Sequence, residues 1–196
     1  MRADLYPAYK PDNIFLSGGK LPGDIKRVAV LPLSCDGRQT DLAAGCEALE
    51  PVLLEELIKT KHFEVIQISR DKLRRLTGRA DWTGEDILPA GILNSLKMQS
   101  GCDAVLFSEL TEFRAYPPLA IGWRLKLVDV RQKKTVWAGD EHFDAGNLAV
   151  ISGARLYQKR GQVVLDDKTS GWLAVNSPRR FGQYSIDSIL GTLPAR

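Results

Sequence analysis

"KRVAVLPLSCDG", Lys26 to Gly37, decides the fold. Val28, Ala29, Val30, Leu31 and Leu33 are apolar without alternation. A strand of that pattern has both faces covered, as in a parallel sheet flanked by helices. Pro32 cannot donate to a ladder, so it belongs at the strand's exit or on an unpaired side. Ser34-Cys35-Asp36-Gly37 then reads as a turn. It puts a cysteine beyond the carboxyl end of a buried strand, where ligands of open α/β sheets gather.

Downstream, Leu42, Cys46, Leu49, Leu53 and Leu57 recur at helical spacing, with Leu54 and Ile58 alongside. Asp41 is the candidate N-cap. Pro51 predicts a kink, or a helix restarting with the proline in its first turn. "FEVIQI", Phe63 to Ile68, alternates as a strand does. Strand, helix and strand in succession predict a βαβ unit or an α+β layer. Ser69 caps a short helix ending at Gly78, and Thr83 with Asp86 makes a weak capping box. Residues Ile87 to Gln99 read as a helix softened by Pro89 and Gly91, with Gly101 as its stop.

"CDAVLFSEL", Cys102 to Leu110, is a third strand running on through Phe113. "LAIGWRLKLVDV" and "KKTVWAGDEHFD" form a hairpin that turns at Asp129 to Lys133, one face apolar and the other polar. A helix follows over Asn147 to Lys159. "RGQVVLDDKTSGW" is ambiguous, with a charged middle that reads as a loop. Ser177 and Pro178 start a terminal helix whose stripe of Ile186, Ile189, Leu190 and Leu193 should dock. The expected layout is an N-terminal linker over 1–24, then one α/β domain over 25–196 with a docking helix over 177–193.

The 196 residues are 44% hydrophobic and 26% charged, the composition of a folded domain with one substantial core. The 27 basic and 24 acidic residues give a net charge of +3, too balanced to predict a nucleic-acid partner. No apolar run approaches the ~18 residues of a membrane span. Cys35, Cys46 and Cys102 form neither a disulfide framework nor a zinc pattern, and packing as small hydrophobes is the plainer reading. The first 24 residues hold three prolines and no basic-then-apolar leader. Such a stretch suits a secreted or lipid-anchored protein after removal of its leader, with Met1 replacing whatever preceded Arg2.

Little catalytic chemistry is visible. Only Gly37 follows the first strand, so no phosphate cradle exists and no nucleotide cofactor is expected. A nucleophilic Cys35 needs a base. His62 should lie at the opposite edge of the sheet, leaving His142 as the one candidate partner. Glu55-Glu56, Glu85-Asp86 and Asp166-Asp167 are neighbours in the chain, and helical neighbours do not face each other. Arg70, Arg74, Arg75 and Arg79, with Trp82 close by, make a basic patch suited to phosphates or an acidic partner. A solvated helix face is the simpler account of it. Tyr116 and Trp123 flank Pro117-Pro118 as candidate anchors of a partner surface, the plainer alternative being a core Trp123 and a simple turn.

The V-A-V-L-P first strand, the helix leading to "HFEVI" and the "CDAVL" third strand resemble bacterial envelope domains. The groups in question are the curli-secretion lipoproteins, the lipoprotein activators of penicillin-binding proteins, and the amino-terminal domain of the Tol β-propeller protein. The resemblance covers about Lys26 to Phe143, and the terminal "SPRRF" helix is similar to those of other bacterial lipoproteins. It implies a three-layer α/β sandwich, a mixed central sheet flanked by helices with an antiparallel hairpin. It further implies no catalytic residue, no cofactor and no metal. A non-enzymatic domain would then stand on the periplasmic face of the outer membrane, lipid-anchored, binding a protein partner in an envelope complex. The alternatives are a basic-helix module for anionic polymers or nucleic acid, a cysteine hydrolase centred on Cys35, and a cytoplasmic location.

Overall fold

The structure, a computed structural model, describes residues 6–161 and 175–194. Its strands are β1 (Ile14–Leu16), β2 (Arg27–Val30), β3 (Glu64–Gln67), β4 (Ala104–Arg114), β5 (Ala120–Asp129) and β6 (Lys134–Asp144). They form one mixed sheet in the order β1-β6-β5-β4-β2-β3. β2 runs parallel to β3 and β4, and the β4-β5-β6-β1 half is antiparallel. The helices are α1 (Thr40–Lys59), α2 (Arg70–Thr77), α3 (Ile92–Ser100), α4 (Leu148–Gly161) and α5 (Pro178–Leu190).

The unalternating apolar strands are covered on both faces. Val28 and Val30 of β2 join the larger core, whereas Ala29 and the following Leu31 join a second core with Leu73, Leu93 and Leu96 of α2 and α3. Ala104 and Leu106 of β4 divide from Val105 and Phe107 in the same way. The parallel half is therefore a three-layer sandwich. Ladder pairing stops at Leu31, skips Pro32 and Leu33, and resumes where Ser34 N–H donates to the Ser108 carbonyl at 3.0 Å. A proline fits there because no N–H is needed.

α1 runs unbroken through Pro51. Pro51 and Glu47, whose carbonyl loses its helical donor, are both exposed residues, a position where a missing helical bond costs least. The helix expected over 87–99 starts only at Ile92, because Pro89 holds a turn that Ile92 N–H closes at 3.2 Å and Gly91 sits at φ +88°. Asp86 does accept from Thr83 N–H at 2.7 Å, but the bond closes a turn, and Asp86 also binds Arg79. α5 docks with Ile186, Ile189 and Leu190 all buried. Its Ser185 hydroxyl accepts from the Trp123 indole at 2.8 Å and donates to the Gly182 carbonyl.

Residues read as a linker contribute an edge strand. β1 pairs antiparallel with β6. Upstream of it, the Tyr9 hydroxyl and the Asp12 and Asn13 N–H groups all donate to the buried carboxylate of Glu141, at 2.5, 2.6 and 2.8 Å. Tyr9 also packs edge-on against Phe143. Short polar sequence hides such anchoring, since the partner lies more than a hundred residues away.

Candidate functional site: an open charged sheet face

α2 and α3 cover only the parallel half of their side of the sheet. On the antiparallel half the outward positions of β5 are Ala120, Gly122, Arg124 and Lys126, opposite the inward Ile121, Trp123, Leu125 and Leu127. Register then places charges from β4 and β6 on either side of each. Arg114 meets Asp144 over Ala120 at 3.2 Å. Glu112 meets His142 over Gly122 at 2.9 Å. Arg124 bridges Asp140 at 2.9 Å and Glu109 at 3.4 Å, and Glu85 reaches it from the preceding loop at 3.3 Å. Gly122 leaves the space for this: a Cβ there would collide with the Thr111 hydroxyl and the Glu112 backbone.

The face carries five carboxylates, Glu85, Glu109, Glu112, Asp140 and Asp144, against Arg114, Arg124 and Lys126. Burial pushes the Glu109 carboxyl up, with Glu85 and Asp140 adding to the effect and Arg124 opposing it. The Gly146 N–H, and then Arg114, hold Asp144 below the usual carboxylate range. Half-exposed Phe15 of β1 lies at the edge of this face, beside a hollow of about 260 Å³ shared with Asn13, Glu85, Arg124 and Asp140.

The opposite, helical layer carries a groove of about 840 Å³ between the ends of α1 and α4 and the start of α5. Among the described residues, Lys59, Arg160, Arg179 and Arg180 line it together with the acids Glu56 and Asp187. Buried Glu56 pairs with Lys59 at 2.6 Å. Burial, and the nearby Glu56, push the Asp187 carboxyl above its ordinary range. Arg179 also meets Glu55 at 2.9 Å.

The residues singled out in the sequence are spread apart. Arg70 remains exposed while donating to Glu50 at 2.5 Å and to the Leu33 carbonyl at 2.8 Å. Arg74 pairs loosely with Asp71, and Arg79 pairs with Asp86 while lying over the Trp82 ring. Arg75 is exposed. Trp82 and Trp123 are core residues, 4% and 0% exposed, so neither presents an anchor; Tyr116 is 77% exposed at the β4–β5 turn. Cys35 is half-buried and packs against the larger core. His142 faces Glu112 on the open face, and His62 lies beside Phe63. Asp166-Asp167 lie outside the described residues. The ladder of charges was missed because each pair joins different strands. Its trace in the sequence is the alternation of Asp140, His142 and Asp144, whereas Glu109 and Glu112 reach the same face only through a register shift between Leu110 and Glu112, so the pattern becomes meaningful only once register is known.

No protein-family model matches the chain, and no curated protein matches it. Solved structures do. A PelC variant dodecamer from Paraburkholderia phytofirmans is 15% identical over 94% of this chain and 100% of that one, with a TM-score of 0.52. Lipoprotein GNA1162 from Neisseria meningitidis is 17% identical over 70% of this chain and 99% of its own, with a TM-score of 0.44. The LpoB C-terminal domain from Escherichia coli is 16% identical over 62% of this chain and 86% of its own, with a TM-score of 0.41. The PelC likeness spans both chains nearly end to end and is a likeness of fold.

Proposed function

We propose that this chain is a non-enzymatic cell-envelope protein that works as an assembly scaffold, and that its first partner is a second copy of itself. The observation carrying this reading is the full-length likeness to a chain that forms a dodecamer. Two surfaces support it. Among the described residues, the open sheet face holds five acids against three cations, and the groove on the other side of the sheet is lined by four cations and two acids, with Glu55 paired to Arg179 at its rim. Complementary patches on opposite sides of one molecule favour head-to-tail contacts, which close into rings when the rotation allows. A bacterial outer-membrane setting, with a lipid anchor preceding this segment, is part of the same reading.

Light scattering on the eluting protein, over a range of concentrations, tests it. Discrete species of several copies at micromolar concentration are expected, and a monomer at every concentration would overturn self-assembly. Crosslinking in intact bacteria tests the compartment, because recovery of cytosolic proteins alone contradicts an envelope location. The basic-helix alternative is less favoured: Arg70 is tied to the Leu33 carbonyl and Arg79 lies over the Trp82 ring against Asp86, so the patch is divided among separate contacts of the fold. Against the cysteine-hydrolase alternative, the two histidines are engaged elsewhere, His142 with Glu112 on the sheet face and His62 beside Phe63.

A further inference from the structure

We propose that the free edge of β3 receives an extended segment of a different protein, acidic at its ends and apolar at alternate positions, as a seventh strand of the sheet. β3 pairs with β2 on one side, and no described strand lies on the other. In a parallel ladder the N–H and C=O of one residue point to the same side, and those of the next residue point away. Glu64 N–H donates to the Lys26 carbonyl at 2.8 Å, and Ile68 N–H donates to the Val30 carbonyl at 3.0 Å. Glu64, Ile66 and Ile68 therefore face β2. Val65 and Gln67 turn their backbone donors and acceptors outward, spaced for the ladder of an added strand.

α1 supplies an apolar ledge along that edge. One flank of α1 meets α5, where Glu55 pairs with Arg179. The other flank carries Glu50 and Leu54, with Ile58 one turn further on, residues four apart that lie in one line. Arg70, just beyond β3, holds Glu50 at 2.5 Å, and the far end of α1 turns through Thr60 into β3. The line therefore runs beside the strand. Leu54 and Val65 are half-buried against the larger core, and Ile58 is 59% exposed. An added strand lays every second side chain on this ledge. Charge sets the rest of its chemistry. Lys61 precedes β3, and Lys72 and Arg75 follow it, whereas the acids close by are paired, Glu64 with Arg27, Glu50 with Arg70 and Asp71 with Arg74. Such a bracket favours an acidic segment. β1 of a second copy fits it poorly, because Lys10 and Lys20 flank that strand against Asp12. A different protein is the occupant, and the contact stands whether or not copies of this chain self-assemble.

Amide hydrogen exchange with a peptide of sequence EVTVTVE, blocked at both ends, tests this. In the free protein the Val65 and Gln67 amides should exchange readily while those of Ile66 and Ile68 are protected. The peptide should slow Val65 and Gln67 by at least about tenfold and leave Ile66 unchanged. Replacing its two glutamates by lysine should weaken binding severalfold. Methylating alternate peptide nitrogens should abolish binding for one set and spare it for the other, because only one set faces β3. Gln67→Pro removes an outward donor without touching a bond to β2, so circular dichroism should show the fold intact while affinity falls about tenfold. Light scattering of that variant should match wild type, which separates this contact from self-assembly. Ile58→Glu, at an exposed position, should weaken binding as well. Unchanged exchange at Val65 and Gln67 with millimolar peptide, or equal binding of both methylated peptides, would overturn the proposal. So would protection of those two amides in assembled protein that is lost on dilution, since a second copy would then be the occupant.

Discussion

At the scale of single residues, two aspartates illustrate opposite settings. Asp103 accepts from the Lys26 and Arg27 N–H groups, both at 3.0 Å, and pins the start of β2 to β4. Although burial opposes it, those donors with Arg131 and Lys97 hold its carboxyl below the ordinary range. Stability from Asp103 is present above the unfolded pKa and is lost as pH falls through the folded one. Asp187 is the reverse, its carboxyl raised by burial and then by Glu56. Its contribution is complete below the unfolded pKa and is lost as pH rises through the folded one, so at neutral pH its charge works against the fold. Asp187→Asn should therefore raise the melting temperature by a few degrees at pH 7 and by little at pH 4. Asp103→Asn should lower it at pH 7, with the deficit shrinking as the pH falls. Melting curves at both pH values check the signs, and identical shifts at pH 4 and 7 for either variant would contradict the assignment.

At the scale of elements, helix packing turns on one absent side chain. Gly45 lies inside α1, where glycine costs roughly 1 kcal/mol relative to alanine. A Cβ at that position would collide with the root of the Phe113 ring on β4. The close approach of helix to sheet outweighs propensity, so Gly45→Ala should destabilise by about 1–3 kcal/mol despite the better helix former. Adding Phe113→Leu should recover part of that loss, as urea unfolding of the single and double variants would show. The same contrast explains what was legible beforehand. β2, β4, the β5–β6 hairpin and the α5 stripe were visible because local apolar patterning specifies them. Unbroken α1, the late start of α3 and the short β1 were not. Their outcomes depend on whether a freed carbonyl meets water, whether a glycine adopts positive φ, and whether a distant buried carboxylate is waiting. The candidate site shares that limit, since its ion pairs join β4, β5 and β6 through a register that no local window contains.

At the scale of the whole molecule, the sheet separates two surfaces of opposite sign, and a head-to-tail assembly makes a demand that a two-fold one does not. Each copy must offer one acidic and one basic surface, so damage to either surface stops growth while leaving the other able to bind. Glu85→Lys with Glu112→Lys alters exposed positions of the sheet face, and Arg160→Glu with Arg179→Glu alters the groove. Exposed ion pairs contribute at most about 1 kcal/mol each to folding, so both variants should remain folded by circular dichroism. Each alone should sediment as a monomer. Mixed in equal amounts, they should assemble again, because the intact groove of one meets the intact sheet face of the other and the two reversed surfaces are themselves complementary. The wild-type assembly should weaken as salt rises from 50 to 500 mM, since the attraction is between solvated charges within about 10 Å. A mixture that stays monomeric while wild-type protein assembles would place the contact elsewhere. An assembly indifferent to salt would show that apolar surface, with Phe15 and Tyr116 the exposed candidates, holds the copies together.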